Sequence, residues 1–489
     1  MRTFVRSIMT GAAVASLALP LSAYAAEQDL QQKLDNLTKE VEALKQQTKT
    51  TESKSIGKWL TIGGDYRFRV DSLKGHTASS TVFNGFDATG NPQFVTQNGT
   101  TVKNDALMTN RFGLNLKAKA TKDVTVTARL LMYKTSGSQT DTATNAGFFA
   151  DRSYVMDGSI GHVPSDSALR VDQVFATWSN IAEQPIWFSV GRRPSTAGSP
   201  THVRQNNERP GNGGVPGLLV DYAFDGMTLG WAPDIDALPG AYAKFCYGRG
   251  FDAGYSTKNN LRDTDMLGVQ IVPLDTDPLR IDFQWNRGMN IFDNPNAPSV
   301  ELGDIDWYGM GLLSTLKNVG VGNLNLFASG GLSVTHPNQD RLFGAFGLLN
   351  GTFAGPEASK DKTGYGVYVG ARYDLPSTRT KLGLEYNYGS KNWIPFDPAA
   401  DDMWTSKLGT RGNVYEAYLI QELKLEPISS YLSKVFFRLG YQYYDFQYTG
   451  SNNWVGSSTK ISDLTASSIQ LMTPLKRAQD IYGTFEVKF

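Results

Sequence analysis

The sequence predicts an all-β chain: a transmembrane antiparallel β-barrel of about sixteen strands, with eighteen as the alternative, preceded by a short α-helical coiled-coil segment. Three observations lead there. An export signal opens the chain, and segments of about ten residues then alternate apolar with polar side chains. No later stretch approaches the roughly eighteen apolar residues that a membrane-spanning helix requires.

The signal occupies residues 1–25. Arg2 and Arg6 supply the positive start, Gly11 to Leu21 the apolar stretch, and Ala23-Tyr24-Ala25 the small residues of a cleavage site, placed after Ala25. An exported chain without helical spans can still cross a bilayer as a closed barrel, because pairing every strand satisfies the backbone in lipid.

Composition agrees. Among 489 residues, 47 Lys and Arg balance 47 Asp and Glu, so nothing draws the chain to nucleic acid. Gly (49), Phe (25), Tyr (22) and Trp (9) stand where a soluble enzyme would carry more aliphatic core residues. Cys246 is the single cysteine, which excludes an intramolecular disulfide, a Cys-x-x-Cys-His haem attachment and a cysteine metal site. No cofactor is expected.

In the segment 26–57, Leu30, Leu34, Leu37, Val41 and Leu44 recur at spacings of four and three, an a/d seam for a coiled coil. It is short enough to be marginal alone. It serves either as a periplasmic bundle that aids trimer formation or wall contact, or as a helix that frays or packs at the barrel's mouth.

The barrel is assigned to 58–489. In WLTIGGDYRFRVD, Ile62, Tyr66, Phe68 and Val70 oppose Asp65, Arg67, Arg69 and Asp71. Phe112, Leu114 and Leu116 oppose Arg111, Asn115 and Lys117 in the same way. LRIDFQWN sets Ile281, Phe283 and Trp285 against Arg280, Asp282 and Gln284, and KVFFRLGYQYY sets Phe437, Leu439 and Tyr441 against Arg438 and Gln442. Extending this period gives strands at 59–71, 109–120, 123–134, 169–179, 186–194, 217–231, 240–249, 264–273, 278–288, 304–316, 321–334, 363–374, 379–390, 412–425, 433–446 and 478–489. A soluble sandwich also alternates. Tyr and Trp near strand ends on the apolar face, and connectors that switch between short turns and long Gly/Asn/Ser/Thr-rich loops, favour the barrel. A hairpin at Asp225-Gly226 would move the count toward eighteen.

The last strand, IYGTFEVKF, puts Ile481, Phe485, Val487 and Phe489 on one face. It resembles the C-terminal signal that hands outer-membrane proteins to the barrel-assembly machinery. With the signal peptide, coiled coil and alternating strands, the chain resembles Gram-negative outer-membrane porins that carry an N-terminal periplasmic coiled coil. FSVGRRPSTAG, with Gly191, Arg192, Arg193 and Pro194, is similar to a strand-end motif of alginate-export and phosphate-selective porins. The resemblance implies export through the periplasm, a place in the cell outer membrane surrounded by its lipid, a homotrimer, and a diffusion channel for small hydrophilic solutes or ions.

The inward face supplies the pore-lining candidates Arg67, Arg69, Arg129, Arg193, Arg280, Asp282, Arg372, Glu385 and Arg438. Barrels of this size hold water, so these charges are expected to stay hydrated and act on solutes, their slight basic excess giving weak anion preference. The bland reading is a ladder of cross-strand pairs that cancel. By the porin resemblance, the loop at 195–216 folds inward as a constriction, with Arg204, Glu208 and Arg209 as candidates facing wall residues such as Arg193. Asp234 with Asp236, or Asp401 with Asp402, could hold a loop calcium, although solvated acids are commoner. His76, His162, His202 and His336 are dispersed, with no His-Glu-x-x-His spacing and no G-x-S-x-G elbow, so no enzyme is expected. Two rival functions stay open: a barrel sheath around a periplasmic or haem-protein partner, as in a porin–cytochrome electron conduit, and a surface adhesin or receptor.

Overall fold

A computed structural model of the chain describes Val41 and residues 59–140, 142–144, 146–148, 155–195, 198–210, 217–255, 260–294, 298–351, 359–398, 401–426 and 433–489. The signal segment and, apart from Val41, the coiled-coil segment lie outside the described residues.

Sixteen strands form one closed antiparallel ring. In chain order they are β1 (Leu60–Thr77), β2 (Thr101–Lys119), β3 (Val124–Thr135), β4 (Arg170–Trp178), β5 (Ile186–Pro194), β6 (Ala223–Trp231), β7 (Tyr242–Phe251) and β8 (Thr264–Asp275). They continue as β9 (Arg280–Phe292), β10 (Glu301–Val319), β11 (Gly322–Pro337), β12 (Lys362–Leu375), β13 (Thr380–Gly389), β14 (Gly412–Glu422), β15 (Lys434–Phe446) and β16 (Leu475–Lys488). Each strand lies beside its sequence neighbours and β16 closes on β1, Arg67 opposite Glu486, so the ring has no free edge. These are the strands read from the alternation. The eighteen-strand alternative fails because Asp225 and Gly226 are extended within β6. Gly226 pairs with Gly191 and Gly248, and a Cβ there would stand 2.0 Å from the Tyr247 carbonyl oxygen, so close approach rather than a turn needs the glycine.

Strand pleating places Phe283, Leu384, Tyr415, Phe437, Leu439 and Ile481 on the exposed outer face, while their chain neighbours Asp282, Glu385, Glu416, Arg438 and Asp480 are buried inside. Facing within β4 does not alternate simply, for a local reason. The register between β3 and β4 shifts between Arg129 and Leu130, which resets the alternation. Tight connections such as Gly320-Val321, with Gly320 at φ 62°, gather at the rim where β1 starts and β16 ends.

The interior departs from the expected water-filled lumen. Segment 217–222, read as the start of a strand, is instead an inward stretch whose Leu218, Leu219 and Val220 are buried, which its unalternating apolar run explains. With Trp393, Ile394, Phe396, Leu408, Trp454 and Val455 from other loops, it packs on Ile305, Trp307 and Phe327 of the wall. The long loops are therefore not uniformly polar. Phe396 stacks on Trp454, centroids 5.9 Å apart, and on Phe224 at 5.6 Å. Each buried indole N–H finds a carbonyl: Trp307 donates to Ile394 (2.6 Å), Trp393 to Leu408 (2.7 Å), Trp404 to Gln479 (2.8 Å) and Trp454 to Phe292 (2.7 Å). A second apolar group joins Trp404 and Met403 to Leu73, Tyr133, Tyr444 and Leu475.

Inward glycines make the space for these rings. A Cβ on Gly366 would stand 2.5 Å from the Trp393 ring. Gly366→Val is expected to displace Trp393 and destabilise the barrel by about 1–3 kcal/mol, the usual cost of overpacking. Unfolding of the purified protein in detergent checks this, and a midpoint equal to wild type would contradict it.

Candidate pore interior and its inward loop

The interior wall carries a dense set of charges, and β-strand parity decides which point inward. All nine pore-lining candidates project to the inside, but most meet partners rather than open water. Arg69 bridges Asp71 (2.6 Å) and Asp480 (2.8 Å). Arg67 lies 3.6 Å from Asp401 and over the Tyr133 ring, and Arg129 contacts Asp65 at 2.6 Å and Asp172 at 3.5 Å. Arg280 joins Asp275 (2.7 Å) and Asp282 (2.9 Å), Arg372 joins Asp374 (2.7 Å), and Arg438 joins Glu486 (2.8 Å). Glu385 accepts from Tyr368 at 2.5 Å, Tyr418 at 3.1 Å and Lys407. Among the described residues Arg193 alone of this set has no carboxylate partner. It donates to Ser189 (2.8 Å) and Thr228 and stands against Phe175. The expectation of freely hydrated charges is corrected here: the same and neighbouring strands supply most of the partners, a loop adds Asp401 and Lys407, and Arg280 and Asp282 are left each 2% exposed.

The decisive loop runs from Ser195 to Tyr222. Its single helical turn, α1 (Thr201–Arg204), and the residues after it lie deep inside the ring. Arg204 reaches Asp402 (2.7 Å) and Glu416 (3.1 Å), and Lys407 adds a second cation on Glu416 at 2.6 Å. Gln442 donates to both Asp402 and Glu416, while Tyr482 donates to Glu416 at 2.7 Å. Glu208 pairs with Lys434, and Arg209 with Asp275 (2.6 Å) and the Thr276 carbonyl (2.8 Å). The three constriction candidates thus face β8, β14, β15 and the turn after β8, not Arg193.

Wall cations also grip the loop by its backbone. Arg372 donates to the Val203 carbonyl, Arg438 to Arg204 (2.9 Å), Lys488 to Gln205 (2.9 Å) and Asn206 (3.0 Å), and Arg280 to Pro210 (3.3 Å). Because Lys434, Lys488 and Thr276 belong to the short-turn rim, the loop spans the interior from one end nearly to the other. Among the described residues, the inner side of β2 keeps Asn115, Lys117 and Lys119 exposed.

Residues matching positions 101–489 define a family described as "Protein of unknown function (DUF3373)". The chain belongs to the DUF3373 family. No curated protein matches it. Solved structures it resembles include OmpT, an outer membrane protein of Vibrio cholerae, in its trimer form (12% identity, 88% of this chain and 100% of that one, TM-score 0.39). Others are an anion-selective porin from Comamonas acidovorans (11%, 88% and 99%, TM-score 0.41) and Pseudomonas putida OprB (11%, 90% and 96%, TM-score 0.43).

In this DUF3373 chain, Asp401 and Asp402 are not a calcium pair. Asp401 binds Arg111 (2.5 Å) and Arg67, Asp402 binds Arg204, and no cluster of three or more metal-ligating acids, histidines or cysteines occurs among the described residues. Arg411, Lys407 and Glu416 escaped the sequence reading. The signal for the first two was the density of Trp, Ile, Phe, Met and Leu through 393–408, which marks a buried rather than a solvated loop. Arg411 donates to the carbonyls of Trp393 (2.9 Å), Thr449 (3.0 Å) and Asn453 (2.8 Å), tying two loops together, and burial lowers its pKa to about 9.

Burial would lower the His162 imidazole, but Asp172, 2.8 Å away, outweighs it and raises the pKa to about 9. On α1 the balance reverses. Burial first, then Arg372, Arg209 and Arg280, hold His202 down at about 3. A histidine depressed in the folded state contributes stability fully present above its unfolded pKa of about 6.5 and lost as pH falls toward the folded value. Acidification from pH 7 to 4 is therefore expected to loosen the seated loop, read as faster proteolysis within 198–210, and His202→Asn should remove the pH dependence. Equal cleavage at both pH values in the wild type would refute this. Arg411→Met, which leaves three buried carbonyls unpaired, should lower stability by at least about 2 kcal/mol and expose 391–411 to protease.

Proposed function

We propose that this protein is an exported outer-membrane porin of narrow bore that passes small hydrophilic solutes or ions. Export follows from the signal at 1–25, and the apolar outer face fits a hydrocarbon surround. A periplasmic role for the segment 26–57, trimer formation, surrounding outer-membrane lipid and delivery to the assembly machinery through the strand ending at Phe489 belong to the same proposal.

The observation that carries it is the loop at 198–210, threaded through the ring and held by wall cations on its carbonyls. It leaves a residual water-facing strip along β2 lined by Asn115, Lys117 and Lys119. An adhesin or receptor gains nothing from an internal loop fastened this way. A sheath around a haem protein needs an empty lumen, and here the chain's own aromatic and charged loops occupy most of it. Arg67, Arg111 and Arg129 are paired with Asp65, Asp172 and Asp401, so the exposed Lys117 and Lys119 beside them support weak anion preference. Their electrostatic influence is greatest where water is confined.

Planar-bilayer recording tests the reading. Wild-type protein should give small single-channel conductance, and Arg204→Ala with Arg438→Ala should raise it severalfold as the loop detaches. Lys117→Glu with Lys119→Glu should move the reversal potential toward cation preference. Folded, membrane-inserted protein that passes no current in any of these forms would sink the channel.

A further inference from the structure

We infer that the inner wall of β5–β9 holds an enclosed site for one halide-sized anion, on Arg193 and Asn286. The site stands on its own geometry and does not depend on transport.

Register builds it. Ser189 of β5 lies opposite Thr228, Thr228 opposite Cys246, Cys246 opposite Gly268, and Gly268 opposite Asn286, so these residues form one inward row across five strands. Gly268 contributes no side chain and leaves a gap in the row. A Cβ there would stand 2.5 Å from the Asn286 side-chain oxygen. Around that gap is a void of about 40 Å³, bordered by Arg193, Ser195, Thr228, Cys246, Gln270 and Asn286. This is enough for one or a few water-sized species, each needing roughly 10–15 Å³.

Charge chooses the occupant. Arg193 borders the void with hydroxyls, the Cys246 sulfur and an aromatic ring for company and, among the described residues, no carboxylate. Asn286 is 5% exposed, its side-chain oxygen is taken by the Gln284 amide at 3.0 Å, and its Nδ2 has no acceptor. Two donors therefore border one enclosed space, one of them cationic. Water there would satisfy the unpartnered carbonyl oxygens of Gln270 and Gln284 but leave the guanidinium without a counter-charge. A monovalent anion supplies that charge and accepts from both donors. Solutes larger than a few heavy atoms do not fit the space.

The test is crystallisation of the full chain in detergent with sodium bromide. Wild-type protein should show one anomalous peak within hydrogen-bonding distance of Arg193 and Asn286, Cys246→Ser should keep it, and Arg193→Gln should lose it while the fold persists. In parallel, bromide at constant ionic strength should raise the wild-type unfolding temperature relative to fluoride, and the rise should vanish in Arg193→Gln. Absence of the wild-type peak at saturating bromide, or its persistence in Arg193→Gln, overturns the assignment. Neither result depends on conductance, so failure here leaves the channel reading to its own test.

Discussion

A closed sheet satisfies its backbone and in the same stroke commits half of its side chains to an enclosed interior. Every charge placed on that face must then be met either by water admitted to the lumen or by something the chain brings in. This protein largely brings its own. Wall cations pair with carboxylates of the same and neighbouring strands and also take up the carbonyl oxygens of residues 203–206 and 210, while loop residues Asp401, Asp402 and Lys407 return the complement to Arg67, Arg204, Glu385 and Glu416. Wall and loop are mutually dependent. Arg438 shows both sides of this, one guanidinium N–H on the Arg204 carbonyl and another on Glu486 of the wall.

The filling is not uniform. Toward the long-loop rim it is apolar, a packing of Leu219, Trp307, Trp393, Phe396 and Trp454 in which dispersion and desolvation do the stabilising. Around Arg204, Glu208 and Arg209 it is ionic. The two respond differently to water. Wetting the apolar part exposes aromatic surface with no compensation, whereas wetting the ionic part replaces protein partners with hydration at comparable free energy. Arg411, held by three carbonyls, joins loops on the apolar side and helps keep that part in place.

Strand existence and facing were legible because period-2 alternation survives in β1, β2, β9 and β15 with few interruptions, and a closed ring imposes it on both sides of every strand. The interior was not legible by the same means. Leu218-Leu219-Val220 looked like the core of a strand because an apolar run says only that a segment is buried, not whether it is buried in a sheet or beneath one. Arg204, Glu208 and Arg209 were singled out from the position of their loop, but their partners lie some seventy to two hundred or more residues away and no local pattern encodes that pairing. Asp401 and Asp402 read as a cation site because adjacent acids in a loop carry no trace of the arginines that a distant strand will present to them.

The same reasoning explains why an ionic fastening suits the loop at 198–210. A buried ion network often stabilises a fold no better than well-packed apolar groups would, yet it demands specific geometry. Replacing it with leucines would hold the loop as firmly and leave no state in which water could displace it. With carbonyls gripped by Arg280, Arg372, Arg438 and Lys488, each polar contact has a hydrated equivalent, whereas Val203, which packs in the apolar cluster, has none. His202 sits among two of those arginine contacts, Arg280 and Arg372, and the Arg209 pair, where an added proton would bring like charge into the network.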